Sequence, residues 1–236
     1  MGLVCEVEGP DGAVVLKVNP GGHREVPWLR GEGEALRFWE PTGAVARLLG
    51  TRDDGLTLLM ERLTPGTALD DTGRSFEERL DVLGGLAAEL HARVPAGGGY
   101  ISMSDFLADG RAALADRPEL LEEVDRLLRP GDDDVLIHAD LHGGNALRHG
   151  NRWKVIDPKG VRGDRHADIW ALLEPDAPAL PEPGAAWARV TRYAEAAAMD
   201  PRRAGAWTRV RAYMEAAQIT DAAWAGRLRD LGAALS

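Results

Sequence analysis

The chain contains one cysteine, Cys5, in 236 residues. That excludes an intrachain disulfide and any cysteine cluster for zinc. No apolar run approaches the length of a membrane span. The N-terminal stretch carries Glu6 and Glu8 and no basic n-region, so it does not read as a signal peptide. Met1-Gly2 opens like a myristoylation signal, but Glu6 stands where Ser or Thr is required. Positive charge is in deficit: 28 Lys and Arg face 38 Asp and Glu, a formal net charge of −10. A nucleic-acid-binding protein needs a basic face to neutralise phosphates, so nucleic acid is not an expected partner. The acidity is compatible with a cationic small molecule. These features predict a cytoplasmic protein. The 44% hydrophobic content over this length suffices for one large domain or two small lobes with a core.

The first sixty residues read as strands with one helix among them. "LVCEVEG" (3–9) and "GAVVLKVN" (12–19) flank Pro10-Asp11 and predict a hairpin. In "GEGEALRFWE", Ala35, Leu36 and Trp39 recur at helical spacing, and "LTLLMERL" (56–63) reads as a third strand. It ends in Thr64-Pro65-Gly66, a breaker signal placed as an inter-lobe hinge. Beyond it the chain turns helical. Ser75 and Glu78 form a capping box ahead of Phe76, Leu80, Leu83, Ala87 and Leu90, an amphipathic helix. "PELLEEVDRLL" is another helix, and "RWKVIDPKG" (152–160) a short strand running into Asp157-Pro158. Residues 185–236 read as three helices broken at Asp200-Pro201 and Thr220-Asp221, and the Pro-rich stretch 174–184 as a loop.

The stretch "VLIHADLHGGNAL" (135–147) packs His138, Asp140, His142 and Asn145 between two apolar runs. Three readings compete: a metal site, a catalytic loop, or a turn that is merely polar. His138 and His142 are four apart as on a zinc helix, but Gly143 and Gly144 disfavour a helix and no H-E-x-x-H pattern is near. Asp140 and Asn145 have the spacing D-x-x-x-x-N. Protein kinases use that spacing for an aspartate that accepts the proton of the substrate hydroxyl and an asparagine that holds Mg²⁺. A second carboxylate for the metal then belongs on a following short strand, and Asp157 stands there; taken alone it reads as a strand-end turn, and its distance after the loop is what favours the metal. Mg²⁺ takes oxygen ligands and keeps waters, so one Asn and one Asp with phosphate oxygens suffice. Lys17, flanked by valines and leucine, fits a phosphate-binding cation paired to a helix glutamate, Glu32 or Glu34. The alternative puts it on a solvent-facing edge strand.

"VLIHADLHGGNALR" and "WKVIDPKGVRGDRHADIWALL" strongly resemble the streptomycin/hydroxyurea phosphotransferase branch of the aminoglycoside phosphotransferases. The resemblance runs from about residue 12 to about 215. It implies an α+β, two-lobed protein-kinase-like fold, with a small β-rich nucleotide-binding lobe (1–63) and a large helical lobe (64–236). The implied activity is ATP-dependent transfer of the γ-phosphoryl group to a hydroxyl of a small molecule, an aminoglycoside such as streptomycin, or hydroxyurea. The implied cofactors are ATP and Mg²⁺. Asp140 becomes the catalytic base, and Asn145 and Asp157 the Mg²⁺ ligands. Lys17 holds the phosphates with Glu32 as partner and Glu34 as fallback. The backbone of Glu61 and Leu63 contacts adenine, with Met60 lining that pocket. His138 braces the loop, and Asp168 anchors it from the following helix. Glu174 and Asp176 are guesses at an acceptor-facing surface. The expected partner is a small hydroxyl acceptor of cationic character, with no nucleic acid and no membrane, on a monomer.

The chain also departs from the family pattern. Ala139 replaces the usual glycine of "HGD". Family members begin with an additional strand and a phosphate-covering loop, whereas this sequence opens on the hairpin, and Gly21-Gly22 come after Lys17. The expectation is weak nucleotide binding, slow turnover and a compensating segment around residues 19–31. The competing functions are a nucleotide-binding pseudokinase and, less well supported, a zinc hydrolase.

Overall fold

The computed structural model describes residues 2–9, 12–19, 26–97, 99–131, 134–175, 177–180, 182 and 184–236. Strand β1 (Leu3–Gly9) pairs antiparallel with β2 (Gly12–Val18), in register from Leu3 opposite Val18 to Gly9 opposite Gly12. The Pro10-Asp11 turn predicted between them, residues 20–25 of the suggested compensating segment (Gly21-Gly22 among them) and Asp176 lie outside the described residues. Helix α1 (Val26–Trp39) begins earlier than its apolar periodicity indicates, and it buries Ala35, Leu36 and Trp39 completely. β3 (Leu48–Arg52) and β4 (Thr57–Glu61) complete a four-stranded sheet of order β1-β2-β4-β3. The sequence did not announce β3. It is five residues long with Gly50 in the middle, where its register against β4 shifts. Since β2 lies between β1 and β4, Lys17 sits on an interior strand, which overturns the edge-strand alternative.

The second lobe opens with β5 (Pro65–Ala68) and α2 (Phe76–His91). The capping box of α2 is formed in both directions: Glu78 N–H donates to Ser75 Oγ at 3.2 Å and Ser75 N–H to Glu78 Oε2 at 2.9 Å. There follow β6 (Ile101–Ser102), α3 (Met103–Phe106), α4 (Ala108–Ala112), α5 (Pro118–Leu127), β7 (Asp134–Ile137), β8 (Ala146–His149), β9 (Arg152–Val155) and β10 (Val161–Asp164). They build two small sheets, β5-β8-β9 and β6-β10-β7. The chain closes with α6 (Ala185–Ala196), α7 (Pro201–Gln218) and α8 (Ala222–Ala234), the three helices expected. Asp200 and Asp221 cap α7 and α8 by accepting backbone N–H groups of the first turn, which is why the breaks fall there. α7 packs against α4, α5, α6 and α8 and buries residues on every side, Trp207 and Met214 among them.

The lobes are joined by more than the chain that links them. Val45 forms a bridge with Val155, Val155 N–H donates to Ala44 O at 2.7 Å, and Ala46 N–H to Val155 O at 3.0 Å. Trp39 Nε1 of α1 donates to Leu90 O of α2 at 3.1 Å. The small lobe therefore holds the end of β9, two residues before Asp157. The turn beyond Asp157 is fixed from the other side. Gly160 has φ +63°, and a Cβ there would lie 3.1 Å from Ala35 Cβ and 3.2 Å from Gly31 O of α1. Gly160 is thus required for its left-handed backbone and for the close approach of α1. Among the described residues no helix is long and apolar enough to cross a membrane. Gly160→Ala is expected to cost about 1–3 kcal/mol of stability, measured by urea unfolding, because it combines left-handed strain with crowding against α1.

Candidate active site

β7 is buried, with Val135, Leu136 and Ile137 at zero exposure, and it delivers His138 into the interior. Four groups converge on Asp168. His138 N–H and Ala139 N–H donate to its carboxylate at 3.0 and 2.9 Å, His91 Nε2 lies 3.0 Å from Oδ2, and Tyr193 Oη–H donates to its carbonyl at 2.7 Å. Burial alone would raise the Asp168 carboxyl, but the His91 hydrogen bond and charge outweigh it and hold the group below the ordinary aspartate range. Asp168 does anchor the loop, but not from a helix. It follows the one-turn 3₁₀ segment Arg165–Ala167, so a turn presents it. His138 Nε2 faces Ile156 O at 3.0 Å and must carry the proton there, while Nδ1 accepts Asp140 N–H at 3.3 Å. That assigns a neutral ring, and burial lowers its affinity for a second proton. His142 Nδ1 accepts Gly144 N–H at 3.1 Å. Ring nitrogens of both histidines serve the backbone, which removes the reason to pair them as zinc ligands.

Ala139 sits at φ +64°, a left-handed position where glycine carries no penalty. The next residue, Asp140, is partly buried, and its Oδ2 lies 2.9 Å from Lys159 Nζ. Asn145 Nδ2 donates to Asp140 O at 2.9 Å, which commits the amide nitrogen to the loop and leaves Oδ1 as the ligand atom for a cation. Across from the loop, Lys17 is 8% exposed, with Nζ at 2.7 Å from Glu32 Oε2 and 2.7 Å from Asp157 Oδ1. Glu34 is exposed, so the helix register selects Glu32. Burial pushes the Glu32 carboxyl up to about 7 against the pull of Lys17, and the Asp157 charge adds to the rise. Asp157 occupies a left-handed conformation, φ 58°, of the kind found where function over-determines the backbone. Burial would raise its carboxyl, but Lys17 and Lys159 outweigh this and hold it low. Asp140, Asn145, Asp157, Lys17 and Glu32 thus form one connected cleft.

Met60, Glu61 and Leu63 are the residues expected at the adenine. Met60 and Leu63 are buried, and Glu61 N–H is already bonded to Arg47 O at 2.9 Å. Glu61 is held by Lys154 from β9 and accepts Arg47 N–H at 2.7 Å; burial would raise its carboxyl, but these partners lower it. Sequence reasoning passed over Lys159. Its Nζ also stands 3.8 Å from Asp157 Oδ1, and its backbone N–H donates to His138 O at 3.0 Å. The available signal was a cation two residues after Asp157 in "VIDPKG". The other omission is most of the far wall, of which the sequence offered Glu174. A cavity of about 430 Å³ is lined by Asp70, Asp140, His142, Trp170, Glu174, Pro175 and Trp224. Asp70 is paired with Arg79, whose NH1 is 3.8 Å from Glu174 Oε2, and Glu174 Oε1 accepts Gly143 N–H at 3.3 Å. A Cβ on Gly143 would fall 1.8 Å from Asp70 Oδ1, so the second residue after Leu141 must be glycine for Asp70 to reach the loop. These residues are far apart in sequence and form no motif.

Comparison with known proteins bears on what this cleft does. The family model for aminoglycoside/hydroxyurea antibiotic resistance kinases matches residues 2–223. The chain belongs to that family. It is therefore a small-molecule kinase, and the transferase activity implied by "HADLHGGN" and "VIDPKG" stands. No curated protein matches the sequence. Among solved structures, the choline kinase LicA of Streptococcus pneumoniae superposes with a TM-score of 0.67 at 13% identity, over 98% of this chain and 89% of that one. A choline/ethanolamine kinase family protein of Mesorhizobium loti gives 0.67 at 14% identity, over 100% and 89%. The aminoglycoside phosphotransferase APH(3'')-Id of Streptomyces rimosus, solved with ADP and streptomycin, gives 0.57 at 16% identity, over 90% and 91%. At these identities the likeness shows the fold: a small sheet lobe and a helical lobe, kinase-like, as expected.

In this kinase the Asp168 anchor predicts an acid response. A carboxylate with a depressed native pKa contributes stability that is complete above its unfolded value, about 3.9, and is lost as pH falls through the native value. Asp168→Ala is expected to lower stability at pH 7 by about 3–5 kcal/mol, since it leaves buried donors without an acceptor. The gap between wild type and variant narrows below about pH 4. Urea unfolding at pH 7 and pH 3 measures both; a gap that widens in acid contradicts the role given to Asp168.

Proposed function

We propose that this kinase transfers the γ-phosphoryl group of ATP, with Mg²⁺, to a hydroxyl of a small cationic acceptor of the aminoglycoside type. The observation that carries the reading is the position of Asp140. Its carboxylate borders the cavity walled by Trp170, Trp224, Asp70 and Glu174 and, through Lys159, meets Asp157 and Lys17. An acceptor hydroxyl placed in that cavity is within reach of Asp140, which orients it and takes its proton. Lys17, held by Glu32, supplies the positive charge for the phosphates. The small lobe, residues 1–63, holds the adenine along Met60, with the Glu61 carbonyl and the Leu63 N–H as its hydrogen-bonding pair. Asn145 Oδ1 and the Asp157 carboxylate are oxygen donors suited to Mg²⁺, and the remaining ligands come from water and phosphate. When bound there, Mg²⁺ neutralises phosphate charge.

The lining of the cavity supports a cationic acceptor. Among the described residues that line it, three carry carboxylates, Asp70, Asp140 and Glu174, and none is a lysine or arginine, although Arg79 and Lys159 pair with these carboxylates from behind. Trp170 and Trp224 also line it, and an aromatic ring that meets a desolvated cation adds about 0.5–2 kcal/mol. Hydroxyurea is uncharged and gains nothing from that wall, so the aminoglycoside reading is preferred. Lys17, Asp140, Asn145 and Asp157 are all present in one cleft, which supports turnover over the pseudokinase alternative. The reading carries with it a cytoplasmic, monomeric enzyme.

ADP release from ATP·Mg²⁺ is to be followed with streptomycin, a panel of other aminoglycosides, and hydroxyurea. Asp140→Asn is expected to lower turnover by about 10²–10⁴-fold with the fold intact; more than a tenth of wild-type turnover would sink the base assignment. Asp157→Ala is expected to remove the Mg²⁺ dependence of ATP binding and most of the affinity, as read by calorimetry with and without EDTA. Trp224→Ala should raise KM for the acceptor about tenfold and leave KM for ATP unchanged. A matching rise in both would argue against the acceptor wall.

A further inference from the structure

We propose that Lys159 is a catalytic residue of the transfer: its ammonium group passes from Asp140 to the γ-phosphoryl oxygens when nucleotide binds and stays on them through the reaction. The proposal rests on the reading of Asp140 as the base. The chain has three lysines against twenty-five arginines, and two of them, Lys17 and Lys159, stand in this cleft. Lys17 is committed to Glu32 and Asp157, and Lys154 to Glu61. Lys159 alone stands between the two carboxylates that bracket the chemistry, 2.9 Å from Asp140 and 3.8 Å from Asp157. In an in-line transfer the phosphorus lies between the hydroxyl held by Asp140 and the phosphate oxygens held near Asp157. A cation that touches both carboxylates is within reach of whatever group sits between them.

The backbone under Lys159 is fixed. Its N–H is bonded to His138 O, and its carbonyl lies against Gly31 of α1, where a Cβ would come within 3.2 Å. Only the four-carbon stem is free to swing, and the side chain is 30% exposed. Its ion-pair partners are the carboxylates of Asp140 and Asp157. With no nucleotide it neutralises Asp140, which would otherwise face two other carboxylates. With nucleotide, the more highly charged γ-phosphate draws it away and frees Asp140 for the hydroxyl. In the step itself the acceptor oxygen bonds to phosphorus and the bond from phosphorus to the β–γ bridging oxygen breaks. The hydroxyl proton goes to Asp140 and ADP leaves; Lys159 keeps its proton and stabilises charge on the equatorial oxygens.

The test separates γ-phosphate recognition from general stability. Dissociation constants for ADP and for the non-hydrolysable ATP analogue AMP-PNP, each with Mg²⁺, are measured by calorimetry for wild type, Lys159→Met, Lys159→Gln and Lys159→Arg. Thermal melts confirm folding. The neutral variants are expected to lose at least tenfold in AMP-PNP affinity and less than twofold in ADP affinity. Their kcat with the best acceptor falls by about 10²–10³-fold, and Lys159→Arg recovers most of the AMP-PNP preference. Equal losses for both nucleotides, no loss, or an arginine variant no better than the neutral ones would overturn the role. If wild type binds both nucleotides and Asp140→Asn is inactive, the kinase reading of the cleft stands even when the Lys159 proposal fails. If wild type binds neither nucleotide, both fall together.

Discussion

The ammonium group of Lys17 ties together three parts of the molecule that are otherwise separate in sequence. It stands on an interior strand of the small sheet, and its partners are Glu32 on α1 and Asp157 on the turn after β9. Lys17 and Glu32 are buried and costly to leave unpaired, and the partly exposed Asp157 completes the set. α1 must therefore pack with the register that turns Glu32 inward. β2 must be flanked on both sides, and the helical lobe must present Asp157 within 2.7 Å of a lysine 140 residues earlier. The Val45–Val155 bridge and the α1–Gly160 contact serve the same alignment with backbone and packing. The placement of β2, α1 and the Asp157 turn relative to one another is thus fixed by charge compensation as well as by packing.

The loop from His138 to Asn145 is held by a different device. Its N–H groups have no sheet or helix to satisfy them, so buried side chains take that part: Asp168 for residues 138 and 139, His138 for residue 140, His142 for residue 144 and Glu174 for residue 143. An exposed loop leaves such groups to water and remains adaptable. This one is bound to acceptors that are themselves fixed, Asp168 by His91 and Glu174 beside Arg79. The left-handed residues at 139 and 157 are tolerated in that setting. Together they cost on the order of a few kcal/mol, and the network keeps them from relaxing.

The parts of this arrangement that were legible in the sequence are those carried by short-range pattern. The hairpin, α2 with its capping box, and the breaks at Asp200 and Asp221 follow from local periodicity and caps. Asp140, Asn145 and Asp157 follow from spacing, and Glu32 over Glu34 from helical register to Trp39. What escaped was non-local. β3 is short, glycine-interrupted and irregular in register, and it is a strand because β4 lies beside it. Asp70 and Arg79 look like surface residues of a loop and a helix until Gly143 admits them to the cleft. The position of Asp168 on a turn rather than a helix is decided by β10 and the 3₁₀ segment after it, where helical periodicity gives no warning.

Lys159 shows most clearly how sequence and structure divide the information. In the sequence it is one cation beside Asp157, and a solvated counter-ion is the economical explanation. In the structure the turn holding it is clamped from two sides, and its ammonium group meets the carboxylate of the opposite loop. Arginine carries nearly all of the positive charge elsewhere, much of it in surface pairs such as Arg111–Asp125 and Arg192–Asp81. A planar guanidinium suits fixed, bidentate pairing of that sort. A compact ammonium on a flexible stem suits a site where the partner changes during the reaction. The role proposed for Lys159 thus fits a division of labour between the two cations: arginine where contacts must persist, this lysine where charge has to meet phosphate and then let it go.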